Sequence, residues 1–268
     1  AGTAGDNYHA GYYRTAHNDL FQGAAMAKFV YEDLGVSAAA AIHDGDPYTQ
    51  GLAQAFADAF EGLGGTVTGF TGVNKEDTDM VPVLTEIAAG SPGALFFPIF
   101  QPAGDMVADQ APGVSGLEGT ILLGADGLQV QSFMELPQAD GMYLSGPDLR
   151  YGDNTNQSTG VTAADFLADY EANNGNAPEA PFWAHSYDAT TILLEAIKAA
   201  SHVDGDDLVV DRAGVREYLD NLSGYEGIIG TLSCDDFGDC GAARITVVQN
   251  NSADFQGSLE NVVFEFAP

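Results

Sequence analysis

Three apolar runs in this sequence end on residues able to hold a small charged organic molecule. "AAIHDGDPYT" supplies His43, Asp44 and Tyr48, "GALFFPIFQ" supplies Phe100 and Gln101, and "LLGADG" supplies Gly124, Asp126 and Gly127. A carboxylate flanked by aromatic rings pairs with an ammonium group and shields the pair from water. The chemistry implied is binding of a small cationic or zwitterionic ligand, with Asp126 on its amine and Tyr48 and Phe100 as walls. Taken singly, each residue has a plainer reading: Asp126 as the cap of a helix beginning near Leu128, Tyr48 as surface packing, Phe100 as core. Their shared position is what favours a common site. If the three runs are neighbouring strands of an open parallel sheet, their carboxyl ends converge on the crevice where ligands bind.

The pattern of the chain supplies such a sheet. Leu20, Ala24, Ala27, Val30 and Leu34 recur at spacings of three and four, predicting a helix with Asn18 or Asp19 as cap and Gly35 as stop. "SAAAAIHD" reads as a short buried strand, followed by a turn carrying Tyr48. Leu52, Phe56, Phe60 and Leu63 then mark a second helix, ended by Gly64 and Gly65. The alternation continues through "TVTGF", "DMVPVLTEIAAG" with Pro82 in its first turn, "GALFFPIF", "PAGDMVADQA", "GTILLGAD", "LQVQSFMEL" and "GMYLSGP". Strands alternating with helices through short loops predict an α/β fold, a parallel sheet with helices on both faces. After Pro147 the character changes: a polar connection, three helical runs, and weak strand candidates in "IIGTLS", "ARITVVQN" and "ENVVFEF". Helices with so little sheet to cover form an incomplete layer.

Composition excludes several classes. Eight Lys and Arg against 39 Asp and Glu give a formal charge of −31 over 268 residues, which repels nucleic acid and anionic membranes and suits an exported protein or a salty habitat. No apolar run reaches the ~18 residues of a membrane span, and no basic, apolar leader opens the sequence, so any export signal is expected to have been removed. There is no G-x-S-x-G elbow and no phosphate-binding loop. "DGDPYT" opens like a calcium loop but lacks its later glycine and glutamate, and the histidines are too dispersed for a metal cluster. No catalytic residue, metal or cofactor is therefore expected. Cys234 and Cys240, in "CDDFGDC", have poor zinc spacing; a local disulfide closing a hairpin loop is preferred to free thiols, and would place the chain outside the cytoplasm.

"GYYRTAHNDLFQGAAMAKFVYEDLG", "AAIHDGDPYTQGLAQAFADAFEGLGGTV", "LLGADGL" and "PFWAHSYDAT" together resemble the type I periplasmic binding proteins, nearest the branched-chain amino acid receptors of ABC importers. The resemblance implies a Rossmann-like lobe from residues 12–146 and 250–268. Residues 147–249 would be a mainly helical remnant of an incomplete second lobe, with a cysteine-bridged hairpin. It implies ligand contacts from Tyr48, Phe100 and Asp126, beside the strand-end candidates His43 and Gly124, and from Phe182 and Trp183 of the other lobe around an interlobe cleft. It further implies an amino-acid ligand, a membrane permease as partner, and a periplasmic or extracellular location, free or lipid-anchored. A ligand-sensing receptor or regulator of the same fold is the alternative. The first βα units of that family have no counterpart here, so a truncated receptor, weak ligand binding and self-association into a homodimer through the incomplete lobe are expected.

Overall fold

The computed structural model describes residues 10–241 and 244–267. In chain order the elements are α1 (Asp19–Lys28), β1 (Ala38–His43), α2 (Pro47–Gly62), β2 (Thr66–Gly72), α3 (Val81–Ala88), β3 (Ala94–Phe96), α4 (Ala103–Gln110), β4 (Ile121–Gly124), α5 (Gln131–Met134) and β5 (Tyr143–Pro147). Then come α6 (Ala163–Asn174), α7 (Trp183–Ala199), β6 (Ser201–Asp204), β7 (Asp207–Val210), α8 (Arg212–Asp220), β8 (Tyr225–Gly227) and β9 (Gly230–Leu232). The chain closes with β10 (Ile245–Gln249), α9 (Phe255–Glu260) and β11 (Val262–Phe266).

These elements form two compact units, residues 19–147 with 244–267, and residues 10–18 with 148–241. The first is built on a seven-stranded sheet of order β11-β10-β5-β4-β3-β1-β2. Its β1–β5 part is parallel, as expected, whereas β10 and β11 join antiparallel at one edge. The period of two along β1 explains the layering: Ala39 and Ala41 face α1 and α2, while Ala40 and Ile42 face the opposite core with Leu84, Leu95 and Val107. Alanines in β1 let both helical layers approach. Met26, Phe29, Phe56 and Phe60 fill the first layer, each buried ring contributing roughly 2–3 kcal/mol.

Two expectations are corrected here. Helix α1 buries Gln22, Gly23, Ala25, Met26 and Ala27, and a π-helical turn over Phe29–Asp33 follows it; Leu20, placed on the buried face by its spacing, is 57% exposed. The cause is Gly23: a Cβ there would lie 2.6 Å from the backbone of Ala55 and Phe56, so this stripe is where α1 meets α2. The unit boundaries also differ from the sequence reading. Residues 12–18 belong with the second unit, because Arg14 N donates to Gly238 O and Cys240 N to Arg14 O, each at 2.9 Å. Residues 245–249 belong with the first, as β10 lies beside β5.

The second unit packs α7, α8 and the β8–β9 hairpin around Ile192, Ala196, Leu219, Tyr225, Ile228 and Leu232. Thr162 and Asp165 cap α6 reciprocally, and left-handed Gly175 ends it. Hairpin β6–β7, which the sequence reading missed, exposes Val203, Leu208, Val209 and Val210. Cys234 and Cys240 form a disulfide, and the loop they close carries the Arg14 clamp just described. Closing so short a loop is worth roughly 2 kcal/mol. Reduction with dithiothreitol is therefore expected to raise amide exchange at Arg14 and Cys240; unchanged protection there would show the clamp to be independent of the bridge.

With 39 acidic and eight basic residues, most carboxylates have no cation to pair with. Raising sodium chloride from ~0.01 to ~1 M shortens the screening length from ~30 to ~3 Å. The melting temperature is expected to climb by about 5 °C, equivalent to ~2 kcal/mol for a chain of this size. Sucrose of matched osmolality should give less than half of that, and a fall with salt would contradict the account. Among the described residues no helix is long and apolar enough to cross a membrane.

Candidate functional site

The stretch "HDGDPYT" is a built cap rather than a loose turn. Asp46 is the N-cap of α2 and accepts from Tyr48 N at 2.9 Å, Pro47 occupies the first helical position, and Asp44 accepts from Thr49 Oγ1 at 2.5 Å and from Asp46 N at 3.0 Å. Tyr48 is thus the second residue of α2, not part of the preceding turn, and the cap fixes the direction of its side chain. Its hydroxyl donates to Asp126 Oδ1 at 2.7 Å. Desolvation above all, then the Asp126 charge and hydrogen bond, and finally the Asp19 charge, hold the phenol well above its ordinary range, so it stays a donor.

Asp126 follows β4 and opens a single 3-10 turn, Asp126–Leu128, in which its side chain caps nothing. Its Oδ1 accepts from Tyr48 and, at 2.6 Å, from Gln22 Nε2. The Phe100 ring lies 5.7 Å from that of Tyr48 and over Gly127, where a Cβ would stand 2.7 Å from Cε1. At 45% exposure Phe100 is not core. The structure therefore brings Tyr48, Phe100 and Asp126 together at the carboxyl ends of β1, β3 and β4.

The other expected site residues fare differently. His43 turns toward β2: its ring lies 5.3 Å from Phe70, and its Nδ1 accepts from Gly45 N at 3.1 Å. Gly124 makes room for neighbours, since a Cβ would stand 2.5 Å from Leu144 Cδ2. Phe182 and Trp183 belong to an aromatic cluster of the second unit. Trp183 stacks on Phe166 at 5.1 Å and meets Tyr151 edge-on at 5.4 Å, and Phe182 packs on His185 at 5.2 Å. In that cluster His185 Nδ1 and Tyr151 Oη are buried without partners. Burial, with His17 nearby, lowers His185 to about 3, and burial, with Asp148 and Asp188, raises Tyr151.

Sequence reasoning missed Gln22, Ser145 and Asp19. Gln22 is 1% exposed and its Nε2 also lies 3.2 Å from both the carbonyl and the hydroxyl oxygen of Ser145 in β5. No local signal marks Gln22, because the same buried stripe also carries Asp19. Among the described residues no group of three or more His, Cys, Asp or Glu is placed to hold a metal.

The first unit is thus a mostly parallel open sheet with a carboxylate and two rings at its strand ends, the edge at which sheets of this kind hold ligands. Residues 1–252 match the family model described as periplasmic binding protein, and the chain belongs to that family of binding proteins. It is 26% identical over 230 residues to Leu/Ile/Val-binding protein homolog 3 of Brucella melitensis, across 85% of this chain and 58% of that one. To the leucine-specific-binding protein of Salmonella typhimurium it is 26% identical over 239 residues, across 88% and 60%. The crystal structure of a leucine binding protein from Thermotoga maritima superposes with a TM-score of 0.74 at 26% identity, covering 96% of this chain and 68% of that one. The chain thus spans about three fifths of the length of these curated relatives.

Proposed function

We propose that this chain is an extracytoplasmic solute receptor that binds an amino acid, of the branched-chain type its relatives are named for, and presents it to the membrane permease of an ABC importer. The observation that carries the reading is the Tyr48–Asp126–Phe100 cluster: a half-buried carboxylate with a hydrogen-bonded phenol on one oxygen and a phenyl ring beside it. Asp126 takes the ligand's ammonium group, Tyr48 fixes the carboxylate, and Phe100 covers the contact from water, which strengthens a charge-assisted hydrogen bond. The disulfide and the acidic surface agree with an oxidising, extracytoplasmic setting.

The test is calorimetric titration with the twenty amino acids. Saturable heats for leucine, isoleucine or valine, and much weaker binding of the carboxylic acids that lack their amine, are the expected result. Absence of any amine-dependent binding at millimolar ligand would remove the assignment.

A further inference from the structure

We propose that Gln22, which lies outside the aromatic–carboxylate cluster, is the positioning residue that presents Asp126 to the ligand's ammonium group; this rests on the reading just given. Two protein donors, Tyr48 Oη at 2.7 Å and Gln22 Nε2 at 2.6 Å, converge on the same oxygen, Oδ1. Among the described residues, no donor reaches Oδ2 of this half-buried carboxylate. Two donors on one oxygen fix the rotation of the carboxylate about its last torsion. That leaves Oδ2 as the oxygen with both lone pairs available, the arrangement that suits a single ammonium group.

The placement of Gln22 is held from several sides. Gly23 lets α1 lie against the backbone of Ala55 and Phe56, which sets the depth of the neighbouring residue. The Gln22 amide reaches Ser145 in β5 as well as Asp126 after β4, so it ties the aspartate to the adjacent strand. An amide buried beside Gly23, Ala25 and Met26 is costly unless its hydrogen bonds are made, and here they converge on the charged group of the site. Asp19, one turn earlier on α1, adds a second carboxylate whose charge reaches Tyr48. The local field thereby favours a cation.

The test compares L-leucine with 4-methylpentanoate, its analogue lacking the amine, by NMR titration of the whole chain at up to millimolar ligand. The wild-type chain is expected to prefer leucine. In Gln22→Met, which keeps the length and loses the donor, that preference is expected to drop about tenfold while 4-methylpentanoate binds within twofold of wild type. A purely structural role would weaken both ligands together and leave the ratio in place, and that result overturns the inference. If Gln22→Met does not fold, Gln22→Leu, which also removes the amide donors and adds no charge, is expected to show the same tenfold drop in preference; a retained ratio there overturns the inference equally. A wild-type chain that does not distinguish the two ligands instead overturns the receptor reading itself, and the role of Gln22 falls with it.

Discussion

Changing Asp126 to asparagine is expected to weaken L-leucine binding roughly 50-fold. The carboxylate is the charge proposed to meet the ammonium group; with its amide oxygen held by Tyr48 and Gln22, asparagine turns an NH2 toward that group, so the whole ~1.5–3 kcal/mol of a hydrogen bond to a charged group is lost. Asparagine keeps the volume, and its carbonyl can still accept from Tyr48, so the first unit is expected to melt within about 2 °C of wild type. Tyr48→Phe should cost less, about fivefold, because it loosens the carboxylate without removing the charge. Ligand affinity is read by calorimetry and the fold by thermal melting in the same buffer. Full leucine affinity in Asp126→Asn would place the ammonium elsewhere. Loss of affinity together with a large fall in melting temperature would show the Asp126 network to be structural.

How far the sequence announces all this depends on whether a signal is local. The alternation of β1 to β5 with helices was legible from period alone, whereas the cap of α2 by Asp46 and Pro47 read as a turn carrying Tyr48. Tyr48, Phe100 and Asp126 can be grouped from sequence because a parallel sheet brings its strand ends to one edge. Gln22 could not, since a single polar residue on a helix reads as its wet side, and only the Gly23 contact with α2 turns that stripe inward. That contact also explains the misplacement of Leu20. Hairpin β6–β7 escaped notice because it is exposed on both faces and so carries no clean alternation. The placement of β10 was hidden for a different reason: an antiparallel partner about a hundred residues away leaves no trace in either strand.

A second large effect belongs to a residue of "SYDAT" with no part in the ligand chemistry. Asp188, on α7, is fully buried, and its carboxylate accepts from Asn156 Nδ2 at 2.9 Å, Ile228 N at 3.0 Å and Ile229 N at 2.9 Å. Asn156 in turn donates to Thr191 at 2.8 Å and accepts from Tyr225 at 3.1 Å, so one side chain joins the connection after β5, the middle of α7 and the hairpin of β8 and β9. A Cβ on Gly227 would stand 2.5 Å from Asp188 Oδ2, which shows how closely the hairpin backbone is drawn onto the carboxylate. Asp188→Ala strands three buried donors, each costing ~1–3 kcal/mol when unmade, and is expected to destabilise the second unit by about 4 kcal/mol. Asp188→Asn keeps one acceptor but turns an amide N–H against a backbone N–H, so it should recover less than half of that. The measurement is amide exchange resolved along the chain. Protection should collapse in α7, α8 and the β8–β9 hairpin and persist in β1 and β3 of the first unit. Wild-type protection at Ile228 and Ile229 in the alanine variant would mean that water replaces the carboxylate, and the hairpin would then owe its place to Tyr225 and Ile228 packing alone.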